Sequence, residues 1–582
     1  MIRGKHMYVK RVKSEGGRIR LKYAHNDYIP GKGSNPKIVG DIGFLDELKE
    51  IYPDPIVHFR KIAKQMNEDA AKEDKPETLV YDKNAKLGID ASEKNIGYAA
   101  LSVIYHELGL DVFFNNHARK YKIQYSINAI MRLLVYMRVL KPGSKKKAYE
   151  KRNWFFESAD FSLEDVYRAL TYINDMIDSC QLWMHKRILK TKKRDMSLVF
   201  YDVTNYYFEI DEEDELRKAG VSKEHRPDPI VQMGLLMDND GIPIAYRLFP
   251  GNDNDCTTFV PFIIDIRREY GMGQTVVVAD KGMNTANNVY YLANRRIWYV
   301  FSQTVKGGSN ELKKYVLNEN GYRKTGSESK IKSRQFTRRV KIEQPGDAPP
   351  IEAMISEKQV ILYSGDYARK AKRDRAKVIR KAKDIVKDPT KYNKYNSYGA
   401  AKYIKHLEYD GETGEIIDTK SIIQFNYEKV VEEEKYDGYY LIVTNAFDMD
   451  EDWVIEKYRG LWEIEETFKV TKSDLETRPV FMSLMEHIKA HFLTCFIALM
   501  IIKLLKKRLG GKYSSAVLIE SMVRACCAEM EGNKFLLYYF DPVLSDLGNA
   551  LGIDFSNKYW ERNEIKKMLG GTKKQKKTSS SK

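Results

Sequence analysis

The sequence predicts an α/β protein whose central mixed sheet is interrupted by a large insertion. Three observations predict it. Short apolar runs bounded by turn residues, the mark of buried strands, cluster between residues 196 and 303. The stretches 96–190 and 484–507 carry apolar residues at helical spacing instead. Residues 304–436 are polar and irregular, and an apolar strand, Tyr439–Thr444, returns only after them.

From the N-terminus, Met7–Val12 and Arg18–Leu21 alternate basic and apolar residues around Gly16-Gly17, which reads as a β-hairpin. Asp46 to about Lys72 reads as helix. Ile127, Ile130, Leu133, Leu134 and Met137 share one helical face that Pro142-Gly143 ends. Ser162 with Asp165 resembles a capping box. Ser197–Tyr201 is an apolar strand broken by Asp202. Ile230–Met237 and Ile242–Phe249 form a hairpin about Asn239-Asp240-Gly241. Thr257–Arg268 reads as helix, Thr275–Ala279 as a buried strand ending in Asp280, the residues from Thr285 as helix, and Trp298–Ser302 as a fifth strand. Three antiparallel strands, a helix, a strand, a helix and a strand is the order of an RNase-H-like domain. A long helix is expected from Asp450 to Ser473.

The boundaries that follow are a basic hairpin and helix at 1–95, a helical segment at 96–190 that suits either a DNA-binding head or a plain bundle, and the first part of the core at 191–303. An insertion at 304–436, the second part of the core at 437–508, a helical region at 509–570 and a disordered basic tail at 571–582 complete the chain.

Composition narrows the function. The 582 residues include 98 Lys+Arg against 81 Asp+Glu, a formal charge of +17, with 43% hydrophobic residues, which excludes whole-chain disorder. The surplus is gathered. Residues 1–40 hold 10 basic against 2 acidic residues, 366–394 hold 12 against 4, and 566–582 hold 7 lysines and no acid. Such patches suit a polyanion partner, the plainer alternative being solubilising faces. Five cysteines without C-x-x-C spacing exclude a disulfide framework and a structural zinc site. The N-terminus lacks the apolar segment of a signal peptide, and the longest uncharged stretch, Ala490–Ile502, is too short for a membrane span. A soluble cytoplasmic protein with no membrane partner is expected.

The chemistry is expected at Asp202, Asp280 and Glu465. A carboxylate at the end of a buried strand costs several kcal/mol unless it is paired or holds a cation. In the strand order above the first and fourth strands are neighbours, so Asp202 and Asp280 converge. Oxygen-only ligands favour Mg²⁺, with Mn²⁺ as a substitute, over zinc. Two ions about 3.5–4 Å apart would suit in-line displacement at phosphorus. By pattern alone Glu463 and Glu466 compete with Glu465.

Tyr458-Arg459-Gly460-Leu461-Trp462-Glu463-Ile464-Glu465, continuing to Lys472, resembles the Y-x2-R-x3-E-x6-K third motif of bacterial insertion-sequence DDE transposases. Tyr201-Asp202-Val203-Thr204 resembles the first motif and Ala279-Asp280-Lys281-Gly282 the second. Ser222–Asp228 and Phe249–Asn252 are similar to stretches of a subgroup of long transposases. The resemblance spans about residues 195–510. It departs at Leu461, which stands at the arginine position. Arg459 lies two residues earlier, about 200° around a regular helix.

The resemblance implies a DDE integrase/transposase core that binds the terminal repeats of its element and carries out Mg²⁺-dependent strand cleavage and strand transfer. Asp202, Asp280 and Glu465 would be the catalytic metal ligands. Tyr458, Arg459, Trp462, Lys472, Lys223, His225 and Arg226 would contact DNA. The implied partners are duplex DNA, in terminal repeats and target, and a second copy of the chain in the DNA complex, with the nucleoid as the place of action. Trp462 suits either base stacking or core packing. The basic helix 369–387 suits either DNA tracking or solvation. His487 and His491, four apart without a third ligand, suit packing or a DNA-facing role better than a metal. A non-catalytic DNA-binding relative and an RNase-H-like nuclease without strand transfer are the alternatives.

Overall fold

The computed structural model describes residues 6–574 except 15, 30–32, 73–92, 193, 211, 221–227, 254, 345–347, 389–398, 406–407, 410–415, 419–423, 479, 481 and 531–532. Most of the tail expected to be disordered lies outside the described residues.

The chain divides into two units, Met1–Asp90 and Ala91–Lys582. In the first, β1 (Tyr8–Lys13), β2 (Ile19–Ile29) and β3 (Gly33–Phe44) form an antiparallel sheet in sequence order. The expected hairpin turns at Gly17, whose φ of 77° suits glycine. Two helices follow, α1 (Leu45–Ile51) and α2 (Pro55–Lys72), where one was expected. They part at the Pro53-Asp54-Pro55 stretch, because proline opens a helix more readily than it continues one.

The second unit opens with β4 (Lys94–Asn95) and the helices α3 (Tyr98–Glu107), α4 (Leu110–Ala118), α5 (Ile127–Leu140), α6 (Lys145–Glu150), α7 (Leu163–Asn174) and α8 (Ile177–Lys192). Ser126 caps α5, and the Ser162–Asp165 capping box opens α7 as expected. The sheet then begins with β5 (Leu198–Tyr207), β6 (Ile230–Asp238) and β7 (Pro243–Pro250), followed by α9 (Asp255–Glu269), β8 (Val276–Ala279), α10 (Ala286–Asn294) and β9 (Trp298–Gln303). β5 runs antiparallel to β6 and β6 to β7, whereas β5, β8 and β9 are parallel neighbours. The element order, the three antiparallel strands and the pairing of the first strand with the fourth are those the sequence predicts.

The insertion extends this sheet. After α11 (Asn310–Leu317) come β10 (Arg323–Gly326), β11 (Ser329–Ile342), β12 (Ile351–Ser364) and the long helix α12 (Gly365–Lys387). Past two short strand pairs and α13 (Tyr427–Glu434), β13 (Tyr439–Thr444) slots between β12 and β9. The nine-stranded order is β10-β11-β12-β13-β9-β8-β5-β6-β7. Gly438, just before β13, has φ 86°, and a Cβ there would lie 2.6 Å from the Tyr363 ring and 2.9 Å from Ala368. Glycine thus lets the start of α12 settle against β13.

Side chains alternate across the sheet with the two-residue period of strands. Val199, Tyr201, Val277, Ala279, Tyr299 and Phe301 face a core shared with α9 and α10. Leu198, Phe200, Tyr206, Val278, Val300 and Ile442 face the opposite core, shared with α3–α8 and with α14 (Glu451–Arg459), α15 (Trp462–Lys469) and α16 (Met485–Arg508). α16 is long and apolar enough to cross a membrane by length and composition, but 94% of its apolar window is buried within the protein. It is the core helix of this layer. The unit closes with α17 (Ser515–Arg524), β14 (Cys526–Met530), β15 (Lys534–Leu537), α18 (Pro542–Leu551), β16 (Tyr559–Glu561) and α19 (Arg562–Thr572), and β14 pairs with β4.

Candidate active site

Asp202 and Asp280 stand side by side. Tyr201 on β5 pairs in parallel with Ala279 on β8, and each aspartate is the next residue. Neighbouring strands run about 4.8 Å apart, and alternation places both carboxylates on the face occupied by α14–α16. Asp202 interrupts the apolar run without ending the strand: β5 continues to Tyr207 alongside β6, and only the parallel partner β8 stops there. Asp202 is half-buried, and Asp280 is exposed where its strand runs out.

Glu465 lies on α15, over β5. At one end Gly460 approaches so closely that a Cβ would sit 2.6 Å from Phe200. At the other, Thr471 Oγ1 and Tyr206 Oη are 3.0 Å apart. Between these anchors α15 lies over β5, which places Glu465 above the strand that carries Asp202. Glu463 and Glu466 are turned to α16, with Lys503 at 3.9 Å and Lys506 at 3.1 Å respectively. Glu465 alone of the three lines the cavity described below.

Hydroxyl groups surround Asp280. Ser302 Oγ donates to Asp280 Oδ1 at 3.3 Å. Tyr440 Oη donates to Tyr458 Oη at 2.7 Å, and Tyr458 Oη reaches Asp280 Oδ1 at 3.5 Å, the outer limit of a hydrogen bond. Burial pushes both phenols up, so each stays protonated as a donor. Ser302 and Tyr440 were not anticipated. For Ser302 a signal existed, a polar residue closing an apolar strand next to β8.

Two cavities adjoin the carboxylates and share Tyr367, Gly438 and Tyr440. The first, of about 350 Å³, is lined by Tyr458, Arg459, Trp462 and Glu465 with Leu362 and Ile442. The second, of about 460 Å³, is lined by Asp280, Lys281, Ser302, Lys306 and Lys370. Trp462 is 56% exposed, which excludes the core-packing alternative.

The expected helix 450–473 is interrupted. α14 ends at Arg459, and i→i−3 bonds, from Leu461 to Tyr458, Glu463 to Gly460 and Ile464 to Leu461, tighten the chain before α15 settles. Regular helix counting thus fails here, and Arg459 and Leu461, expected on opposite faces, both line the Glu465 cavity. A π turn, Val470–Asp474, likewise breaks the two-turn count from Glu465 to Lys472. The half-buried Lys472 sits with its Nζ 5.6 Å from the centre of the Tyr206 ring, four residues beyond Asp202 on the same strand face.

Lys223, His225 and Arg226 lie outside the described residues. His487 and His491 pack rather than ligate: His487 Nε2 meets Thr171 Oγ1 at 3.2 Å, and buried His491 lies between Lys145 Nζ at 2.7 Å and the Thr477 carbonyl at 3.1 Å.

The donor set of carboxylate and hydroxyl oxygens suits a hard divalent cation. The expectation that the three acids gather tightly needs correcting in one respect. Among the described residues no three Asp, Glu, His or Cys side chains approach closely enough to hold an ion. Like charges repel, and two of the three have other partners: Asp280 the hydroxyls above, and Asp202 the Val203 N–H, which donates to its Oδ1 at 2.8 Å. The acids share a face of the sheet without being drawn into one ligand cluster.

Residues 223–501 match the family model described as "Transposase DDE domain". No curated protein matches the chain. Among solved structures the chain is similar to a piggyBac transposase synaptic complex with hairpin DNA, at 7% identity and a TM-score of 0.37, over 84% of this chain and 90% of that one. It is also similar to a Mos1 transposase paired-end complex with left transposon end, at 11% identity and a TM-score of 0.14, over 42% and 66% of the two chains. The stretch similar to a transposase DDE domain contains Asp280, Ser302, Tyr458 and Glu465, and Asp202 precedes it on the adjoining strand.

Proposed function

We propose that this protein is a DNA transposase that binds the terminal repeats of an insertion sequence, cleaves their strands and joins the freed 3′ ends to target DNA. The observation that carries the reading is the register of Asp202 and Asp280 on adjacent parallel strands beneath the helix bearing Glu465, in a chain that matches a transposase DDE domain. Asp202, Asp280 and Glu465 are the residues that would hold Mg²⁺, after moving closer together than they stand here. Bound there, the cation activates the attacking oxygen and stabilises the leaving one.

The remaining residues position the substrate. Ser302 and Tyr458 both hold the Oδ1 oxygen of Asp280. Arg459, exposed on the cavity wall, and Lys472 meet phosphates flanking the scissile bond. Trp462 stacks on an unpaired base. Two copies pair two element ends, and the protein works on the nucleoid in the bacterial cytoplasm. Division of the second unit into a core, an insertion and a helical DNA-binding segment is part of the same proposal.

The test is incubation with end-containing DNA and Mg²⁺, for the wild type and Asp202→Asn. Cleaved and joined products from the wild type alone support the reading, and equal products from both sink it. The separation of the three acids favours a second reading, a non-catalytic DNA-binding protein, which would footprint the repeats and cut nothing. Cleavage without joining would mark a plain nuclease.

A further inference from the structure

We infer that the outer face of α12 is a phosphate-binding arm that carries duplex DNA leading away from the carboxylate site. The inference rests on the DNA-processing reading and adds to it the surface that holds the duplex.

α12 begins at the site. Tyr367, in its first turn, walls both cavities, and Lys370 lines the cavity of Asp280. The inner face of the helix is neutralised and fixed. Arg375, 6% exposed, donates to Asp437 at 2.6 Å and to Glu434 at 3.1 Å. Ala382 and Ile385 pack against Ala401 and Tyr403.

The outer face is different. Lys370, Arg373, Lys377, Arg380, Lys381 and Lys387 are all exposed. At 100° per residue they fall within an arc of about 120°. Lys377 has Asp374 at 3.6 Å, while the other five form no ion pair or hydrogen bond among the described residues. Only Asp366 and Asp384 interrupt the arc, and Asp366 pairs with Arg369. Like charges one turn apart destabilise a helix, a cost that an anionic partner relieves. On this face the six basic residues outnumber the two acids.

The geometry points to a duplex. From Lys370 to Lys387 the stripe runs about 26 Å, most of the ~34 Å turn of duplex DNA. Phosphates recur every ~3.4 Å along a strand. The helix is held rigid, so its charges present a straight row to a stiff, regular polyanion, and the row opens onto the Asp280 cavity.

The experiment is fluorescence anisotropy of the full chain with a labelled duplex in EDTA, across a salt series, so that cleavage plays no part. One variant carries Arg373→Gln, Arg380→Gln, Lys381→Gln and Lys387→Gln. A control carries Lys314→Gln, Lys324→Gln, Lys341→Gln and Lys558→Gln, four exposed lysines elsewhere. With each contact contributing about 0.9 to the slope of log K against log salt, the stripe variant should lose about 3.6 and the control much less. An unchanged slope overturns the inference and leaves the carboxylate chemistry standing. Equal losses in both sets overturn it too, since only net charge would then matter. Tighter binding of an acidic peptide than of the duplex would reassign the surface to a protein partner. Asp202→Asn should bind with the wild-type slope, and its failure to cleave is read separately.

Discussion

Replacing Gly460 by alanine tests whether the approach of α15 to β5 sets the position of Glu465. A Cβ at Gly460 would lie 2.6 Å from Cζ and 2.9 Å from Cε1 of Phe200. Ordinary contact begins near 3.4 Å, so helix and ring must separate by about 0.8 Å. Phe200 is 3% exposed and packed in the core beneath the helix, so the ring cannot swing away freely. Overpacking of this kind costs about 1–3 kcal/mol, of which alanine's better helix propensity returns at most about 1. Stability should thus fall modestly. Activity should fall far more, because a displacement near 1 Å in a catalytic group costs on the order of 10²-fold in rate. Thermal melts and a strand-cleavage time course measure the two effects. Phe200→Leu should restore part of the rate to Gly460→Ala while slowing the wild type, which a double-mutant cycle reads directly. Wild-type cleavage by Gly460→Ala, or no rescue by Phe200→Leu, would refute the reasoning.

Asp280→Asn and Glu465→Gln should each remove several kcal/mol of transition-state stabilisation, more than about 10³-fold in rate, with duplex affinity unchanged. Lost affinity would instead mark a structural role. Trp462→Ala, at an exposed position, should leave the melting temperature nearly unmoved and weaken binding to DNA with an unpaired base by about 1–3 kcal/mol; equal weakening on fully paired DNA would count against stacking. Burial, aided by Arg138, pushes Lys145 down to about 7, whereas in the unfolded chain it holds its proton to about 10. The unfolded state therefore binds more protons between those values, and stability should rise with pH there by up to about 1.4 kcal/mol per unit. Burial and Lys145 hold His491 well below 6.5, so stability should also fall as pH drops below 6.5. Melts at pH 6 to 9 should show a flatter upper limb in Lys145→Met; an unaltered limb would mean that Lys145 stays charged when folded.

The parts of the fold legible in the sequence are those governed by local periodicity. Val276–Ala279 is apolar throughout because both its faces are buried, and Asp280 marks its end without ambiguity. β11 and β12 were harder to read, since Ser329–Ile342 mixes buried and exposed positions and carries charges on its exposed side. What failed was extrapolation along the helix. Nothing near Gly460 in the chain announces Phe200, and it is this distant ring that explains why a residue without a side chain stands there. The π turn after Val470 has the same character: Tyr206 meets Thr471 from β5, and counting residues from Glu465 could not foresee the shift in register. Trp462 could be resolved only by its surroundings, since pattern alone suits both a core and a rim position.

The insertion is structurally part of the site. β12 reaches β9 only through β13, which follows the insertion, so the sheet edge beside Asp280 is completed from both sides of residues 304–436. The residues dividing the two cavities come from the same junction: Tyr367 from the start of α12, Tyr440 from β13, and Gly438, whose missing side chain lets those elements meet. Tyr440 in turn donates to Tyr458, which faces Asp280. A shortened chain lacking 304–436 would lose the basic arm, one wall of each cavity and the β12 partner that holds Tyr440 in place. The insertion should therefore be read as the structure that shapes the space around the carboxylates, with its charged helix extending that space outward along the path of the substrate.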